Sequence, residues 1–337
     1  MKNANFEDIK QFVDAADKIV IIQADNPDGD SLASALALEQ ILGDQGKDVF
    51  LYCGVDIPSY LSYFPGSDRV TSDLPNVFDA SIIVDTSSDT LLEQLNLKGK
   101  RSWIAAKPCL VIDHHVSPPT IDYAKLTYIN KAVSTTELIY EISNGLSWSL
   151  NQTSRELIAM GILSDSLGLT TQDTSAKSIH IIADLVEAGV SLAELENARR
   201  ETMRREAELV HYKGRLLERV EFHDNNRIAM VSIPWDEIEK YSPLYNPPML
   251  VIDDMRMAKG TDIAVCFKIY KDGKITCKIR CNYGKAIADK LAEHFGGGGH
   301  AYAAGFKIQD GRSLEEIKTD CIKTAIKLLD ELEAVNA

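Results

Sequence analysis

Five aspartates and two histidines stand at positions where a chain could hold divalent cations. The apolar run Cys109 to Ile112 ends abruptly in Asp113-His114-His115, which suits a buried strand whose last residues emerge into a polar pocket. Two other apolar runs end the same way: Lys18 to Ala24 leads into Asn26-Pro27-Asp28-Gly29-Asp30, and Ser81 to Val84 ends at Asp85. A further acid, Asp165, lies where the helical pattern Ser154 to Leu163 gives way to a loop. Each has a structural explanation by itself: turn and cap for Asp28 and Asp30, strand terminator for Asp85, loop residue for Asp165. Together with His114 they make an oxygen-rich set with an imidazole, which suits manganese, magnesium or iron better than the thiolate-rich zinc pattern. Two such ions about 3.5–4 Å apart can generate a hydroxide and clamp both the attacking and the leaving oxygen of a phosphoryl displacement. Hydrolysis of a phosphate ester is the chemistry to expect.

Convergence of those residues demands a particular scaffold. In open parallel α/β sheets the ligand crevice lies beyond the carboxyl ends of the strands, so strands that each finish in a carboxylate deliver their ligands to one place. Ile19 to Ile22, Gly46 to Cys53, Phe78 to Asp85 and Cys109 to Asp113 read as strands, separated by helical patterns at Leu32 to Leu42 and Asp89 to Leu95. Asp30 or Ser31 is the expected cap of the first of these helices, and Ser134 with Glu137 has capping-box spacing before another. The fold class is α/β: a doubly wound, mostly parallel sheet domain over 1–190, a charged helical linker over 191–220, and a smaller α/β domain over 221–337.

In the C-terminal part the period changes to two. Asp262 to Tyr270 and Ile275 to Cys281 alternate, and a three-residue loop Lys271-Asp272-Gly273, with Gly273 left-handed, pairs Ile269 with Ile275 and aligns both apolar faces. That register gathers Lys268, Lys278 and Arg280 on one polar face. The helix Ala286 to Phe295 runs into Gly296-Gly297-Gly298-Gly299-His300, whose consecutive side-chain-free amides suit an anion-binding nest. Arginines 199, 200, 204 and 205 read as a solvated helix between domains.

Composition narrows the partners. A net charge of -14 over 337 residues repels polyanions, so a small phosphate ligand fits better than long duplex nucleic acid. The six cysteines sit in apolar or alternating runs without a C-x-x-C pair and read as reduced core residues. Met1 to Lys10 is polar and no run reaches membrane-spanning length, so a cytoplasmic protein without membrane partners is expected.

The order of Asn26-Pro27-Asp28-Gly29-Asp30, Asp85, Asp113-His114-His115, Asp165 and Gly296 to His300 with Ala303-Ala304-Gly305-Phe306 resembles the DHH phosphoesterase superfamily. The resemblance is to its branch with the DHH-associated C-terminal domain, which contains nanoRNase/pAp phosphatases and cyclic-dinucleotide phosphodiesterases. It implies a metal-dependent enzyme with a cleft between metal-binding and substrate-binding halves, using Mn2+, or Mg2+ or another divalent ion, one or two in number. It also implies that Asp85 bridges two metals, Asp28 binds one, and Asp30, His114 and Asp165 bind the other. His115, next to Asp113, would contact the scissile phosphate or assist the leaving group, and Arg280 with Gly297, Gly298, Gly299 and His300 would hold the nucleotide. The substrates implied are short oligoribonucleotides, dinucleotides of the pApA type, or 3′-phosphoadenosine 5′-phosphate, with a homodimer compatible. One position departs: members usually carry a histidine four residues before the first aspartate, and here that residue is Ala24. The alternative is a nucleotide-binding sensor or interaction protein with a degenerate first metal site and little or no turnover.

Overall fold

The computed structural model describes residues 2–115 and 118–336. The chain divides into two compact units, one ending at Arg204 and the other beginning at Arg205.

The first unit is built on a six-stranded sheet of β1 (Lys2–Asn3), β2 (Lys18–Ile22), β3 (Asp48–Tyr52), β4 (Ala80–Val84), β5 (Cys109–Asp113) and β6 (Leu126–Ile129), in the order β1-β6-β5-β4-β2-β3. Every pairing is parallel. The helices of this unit are α1 (Phe6–Asp14), α2 (Gly29–Gly43), α3 (Glu93–Leu97), α4 (Arg101–Ala105), α5 (Thr135–Gly145), α6 (Gln152–Asp165), α7 (Ala176–Glu187) and α8 (Leu192–Met203). The central strands are continuous apolar runs because both sheet faces are covered. Ile19 and Ile21 of β2 join one layer with residues of α2, α5 and α6, while Val20 and Ile22 join the opposite layer with Leu92, Leu95 and Ile104. Since β3 flanks β2 on one side and β4 on the other, the sheet changes its direction of growth between β2 and β4. A crevice opens at such a switch point, beyond the carboxyl ends of the strands.

Helix α2 begins at Gly29 with Asp28 as its N-cap, not Asp30 or Ser31 as expected: Asp28 is extended and its side chain accepts from the amides of Asp30 and Ser31. The cap falls earlier because the turn at Pro27 already hands an extended residue to the helix. Its small residues Ala33, Ser34, Ala35 and Ala37 are fully buried. Ser134 caps α5 by accepting from the Glu137 amide, but the capping box is only half made. The Glu137 carboxylate instead accepts from Ser178 Oγ at 2.6 Å and pairs with Lys177, tying α5 to α7.

The segment 191–220, expected to be a charged helical linker, holds two helices, α8 and α9 (Ala207–Glu218), one in each unit. Leu209, Tyr212 and Leu216 of α9 are buried at helical spacing, which docks it on its own unit. The second unit continues with β7 (Glu221–His223), β8 (Ile228–Ile233), α10 (Trp235–Tyr241), α11 (Pro248–Arg256), β9 (Ile263–Ile269), β10 (Ile275–Cys281), α12 (Ala288–His294), β11 (Gly298–His300), β12 (Ala303–Ile308) and α13 (Leu314–Asn336). Its strands form a mixed sheet in the order β11-β12-β10-β9-β8-β7, parallel only between β8 and β9. The β9–β10 hairpin has the expected register, Ile269 opposite Ile275, with Gly273 at φ 80 closing the three-residue loop. All six cysteines are free and buried. Among the described residues no helix is long and apolar enough to cross a membrane.

Candidate functional site

The carboxyl ends of β2, β4 and β5 bring the sequence-selected acids and histidines together. Asp30, His114 and Asp165 each offer a donor atom, all within 4.8 Å of one another, and Asp85, His114 and His115 form a second such group. His114 is the residue common to both groups, whereas the resemblance gives the bridging role to Asp85. Its Nδ1 donates to the carbonyl of Ala132 at 3.1 Å, which turns Nε2 toward Asp165 Oδ2 at 3.2 Å and Asp85 Oδ1 at 3.5 Å. That backbone bond selects the tautomer whose free nitrogen faces the carboxylates, the arrangement a metal-ligating imidazole requires.

Asp30 is fully buried at the N-terminus of α5, where its carboxylate accepts from Thr135 N at 2.5 Å, Thr136 N at 3.1 Å and Thr136 Oγ1 at 2.8 Å. The first-turn amides of a helix carry unpaired donors and partial positive charge, so an anion is stabilised there. Gly161 of α6 makes the close approach possible: a Cβ at that position would lie 2.5 Å from Thr136 and 2.8 Å from Asp30 Oδ1. Asp85 is held at φ 60, a left-handed backbone that Asp tolerates better than most residues, and accepts from Thr135 Oγ1 at 2.9 Å. Thr135 and Thr136 thus brace two of the acids. Neither was singled out from sequence, although hydroxyl residues directly after a capping serine were the available signal.

Asp113 is fully buried, and its Oδ1 accepts from the backbone N–H of His115 at 3.1 Å and from Nδ1 at 2.7 Å. It orients His115 and does not itself open to the pocket. The half-exposed His115 side chain is held above its ordinary pKa, chiefly by that bond to Asp113. Asp28 spends Oδ1 on the amides of Asp30 and Ser31, at 3.1 and 3.0 Å. It lies outside both three-residue groups. Ala24 is buried, and Asp25, whose Oδ2 accepts from the Gln94 amide at 2.8 Å, lies outside both three-residue groups.

The electrostatics of this cluster are incomplete without a cation. Burial, reinforced by the charge of Asp165, pushes Asp30 up to about 6. Asp85 is driven well above the carboxylate range by burial, then by Asp30, Asp28 and Asp165. Burial works against the His114 imidazolium, but its bond to Asp165 and the charge of Asp30 outweigh that and raise it to about 9. Buried like charges that favour protons are a site into which a divalent ion fits, displacing those protons. The donor set, carboxylate oxygens with imidazole nitrogen, suits a divalent metal ion.

Within the second unit, Lys268, Lys278, Arg280 and Lys307 line a groove of about 740 Å³ together with Gly296 and Gly297. Lys268 and Lys278 are both held below the ordinary lysine range, first by burial and then by a neighbouring cation, Lys278 for the former and Arg280 for the latter. Uncompensated cations in one groove favour an anion. The glycine run does not form the expected nest: the amides of Gly296 and Gly297 donate back to Glu293 and Ala292 and close α12, with Gly296 at φ 72. Gly298, Gly299 and His300 form the exposed edge strand β11. Gly299 has no room for a Cβ, which would lie 2.6 Å from the carbonyl of Ala303, so close strand pairing accounts for that glycine.

Comparison with known proteins gives two domain matches. The DHH family, N-terminal domain, matches residues 18–162, and the DHHA1 domain matches residues 250–331. The chain is 25% identical over 317 residues to the bifunctional oligoribonuclease and PAP phosphatase NrnA of Bacillus subtilis, covering 90% of this chain and 95% of that one. The protein of that name from Thermus thermophilus is 24% identical over 290 residues, covering 84% and 82%. Among solved structures, an exopolyphosphatase-related protein from Bacteroides fragilis superposes with a TM-score of 0.78 at 21% identity, covering 98% of this chain and 96% of that one.

Proposed function

Because the chain belongs to the DHH family of phosphoesterases, with a DHHA1 domain following its DHH domain, we propose that it hydrolyses phosphate esters of short oligoribonucleotides, dinucleotides of the pApA type, or 3′-phosphoadenosine 5′-phosphate in a reaction dependent on a divalent metal. The observation that carries this reading is the Asp30–His114–Asp165 group, with His114 Nε2 directed at the carboxylates by its bond to Ala132. In the proposal Asp30, His114 and Asp165 hold one divalent ion, Mn2+ or Mg2+, with Asp85 beside them. Such an ion supplies Lewis-acid stabilisation of phosphoryl charge and lowers the pKa of water. Asp28, which already caps α2, and Asp85 are the carboxylates left for a second ion.

His115 is assigned to the scissile phosphate or the leaving oxygen, with Asp113 holding its ring and its proton. Arg280, with the exposed edge Gly298 to His300 beyond Gly297, is assigned to the nucleotide phosphates, supported by Lys268 and Lys278 in the same groove. Substrates with few phosphates suit a chain of net charge -14, whose global field opposes longer polyanions.

The test is release of mononucleotide from pApA with Mn2+, alongside Asp85→Asn and a chelator. Turnover that both treatments abolish is the expected result, and turnover that survives both would overturn the metal assignment. A second reading, nucleotide binding without turnover, draws support from Ala24 and from the capping role of Asp28. Tight pApA binding with no product at saturating Mn2+ would favour it.

A further inference from the structure

The cations of the groove in the second unit fall into two places, and strand register sets them out. On one face of β10, Thr276 stands opposite Lys268 of β9 and Lys307 of β12, while Lys278 stands opposite Cys266 and Gly305. Directly paired residues on one face have Cβ atoms about 4.5–5.5 Å apart, and diagonal neighbours lie within reach of long side chains. Lys268, Lys278 and Lys307 therefore surround Thr276 and the bare backbone of Gly305, all of them lining the groove. Arg280 is on the same face but four residues from Thr276, about 13 Å along the strand. Its Nη1 donates to the carbonyl of Ile279 at 2.9 Å, which keeps the guanidinium beside its own strand position.

Packing explains why this face is open. The opposite face of β10 is covered, since Ile275, Cys277 and Ile279 share a core with Ile317, Cys321 and Ala325 of α13. On the cationic face the apolar packing stops at β9, where Ala264 and Cys266 join Val251 and Met255 of α11. Lys278 Nζ meets only the Sδ of Met249, at 3.7 Å. Among the described residues no carboxylate pairs with Lys268, Lys278, Lys307 or Arg280, in a chain that has 50 acidic residues. Like charges gathered without a counter-ion repel one another, a repulsion that an anionic ligand removes.

We propose that Lys268, Thr276, Lys278 and Lys307 form a second phosphate site, separate from the position of Arg280, so that the groove takes a nucleotide carrying two phosphates. Ammonium groups on flexible stems suit a phosphate met from several sides, and the Thr276 hydroxyl adds a donor from the floor. The threonine side chain is too short to leave its row, which fixes the place of this anion away from the guanidinium. The two positions together separate nucleotides with two phosphates from those with one. This inference deepens the nucleotide reading of the second unit and rests on it, not on turnover.

Calorimetric titration of the full chain with AMP and with 3′-phosphoadenosine 5′-phosphate, in a chelator so that neither is turned over, tests it. The bisphosphate is expected to bind about tenfold more tightly, the order of one charge-assisted contact. Lys268→Gln combined with Lys307→Gln is expected to remove that difference, and arginine at both positions to retain it. Lys323→Gln with Lys327→Gln, an equal change of charge at exposed positions on α13, is expected to leave the difference in place. Equal affinity for the two nucleotides in the unsubstituted chain, a preference that survives the Lys268 and Lys307 substitutions, or one that the α13 pair removes as well, overturns the site. Inorganic phosphate bound as tightly as the bisphosphate also overturns it. Absence of pApA hydrolysis with Mn2+ alongside a preference that depends on Lys268 and Lys307 sinks the hydrolase reading and upholds the site. Hydrolysis with the two nucleotides bound equally does the reverse.

Discussion

Asp113 shows how much one buried carboxylate can do without touching a ligand. With no exposed surface, it holds the His115 ring through Oδ1 and keeps the imidazolium above its ordinary range. Asp113→Asn leaves a side chain of nearly the same volume, so the fold should persist, but the charge that favours the protonated ring is gone. A proton-transfer role lost in this way lowers kcat by about 10²-fold. The expected signature in steady-state kinetics on pApA is that loss in kcat together with a downward shift of the basic limb of the pH–rate profile. A change in KM alone would place His115 in binding and not in proton transfer.

At the scale of elements, the site depends on α2, α5 and α6 meeting closely. Asp30 lies on α2, its three donors lie on α5, and Gly161 of α6 leaves the room for both. A methyl group at Gly161 forces Thr136 or Asp30 aside, an overpacking of the kind that costs about 1–3 kcal/mol. Gly161→Ala should therefore lower the unfolding free energy measured in urea by that amount and weaken Mn2+ binding measured by calorimetry. Unchanged values for both would show that the helices separate without effort. The hairpin β9–β10 illustrates the converse, an element whose local pattern suffices, because loop length and face alternation admit one register.

For the whole molecule, the acid cluster makes stability depend on pH and metal together. Asp30 has its folded pKa raised, to about 6, so its contribution is present while it is protonated and is lost as pH rises through that value. His114, raised to about 9, likewise stabilises the fold while protonated and stops doing so as pH rises through about 9. Both signs agree: without metal, the thermal midpoint should fall as pH increases from 5.5 toward 9. A divalent ion competes with those protons, so Mn2+ or Mg2+ should raise the midpoint more at pH 8 than at pH 5.5. Scanning calorimetry at both pH values checks this, and an equal shift at both would remove Asp30 and His114 from the ion's ligands.

The α/β class, the parallel sheet and the identity of the clustered residues were legible in the chain itself, because buried parallel strands are unbroken apolar runs and three of them, β2, β4 and β5, lead into acids or histidines. The hairpin register and the reduced cysteines were legible for equally local reasons. Tertiary structure decided what each residue does at the meeting point. Asp28, two residues ahead of the expected cap, took the helix end and freed Asp30 for the amides of Thr135 and Thr136, over 100 residues away in sequence. His114 became the common member of two ligand groups through a carbonyl contributed by Ala132. The glycine run closed a helix and paired as an edge strand, where its composition had suggested a nest. Periodicity and turn chemistry are short-range properties of a chain, whereas hydrogen-bond competition among distant donors is settled only when the elements pack.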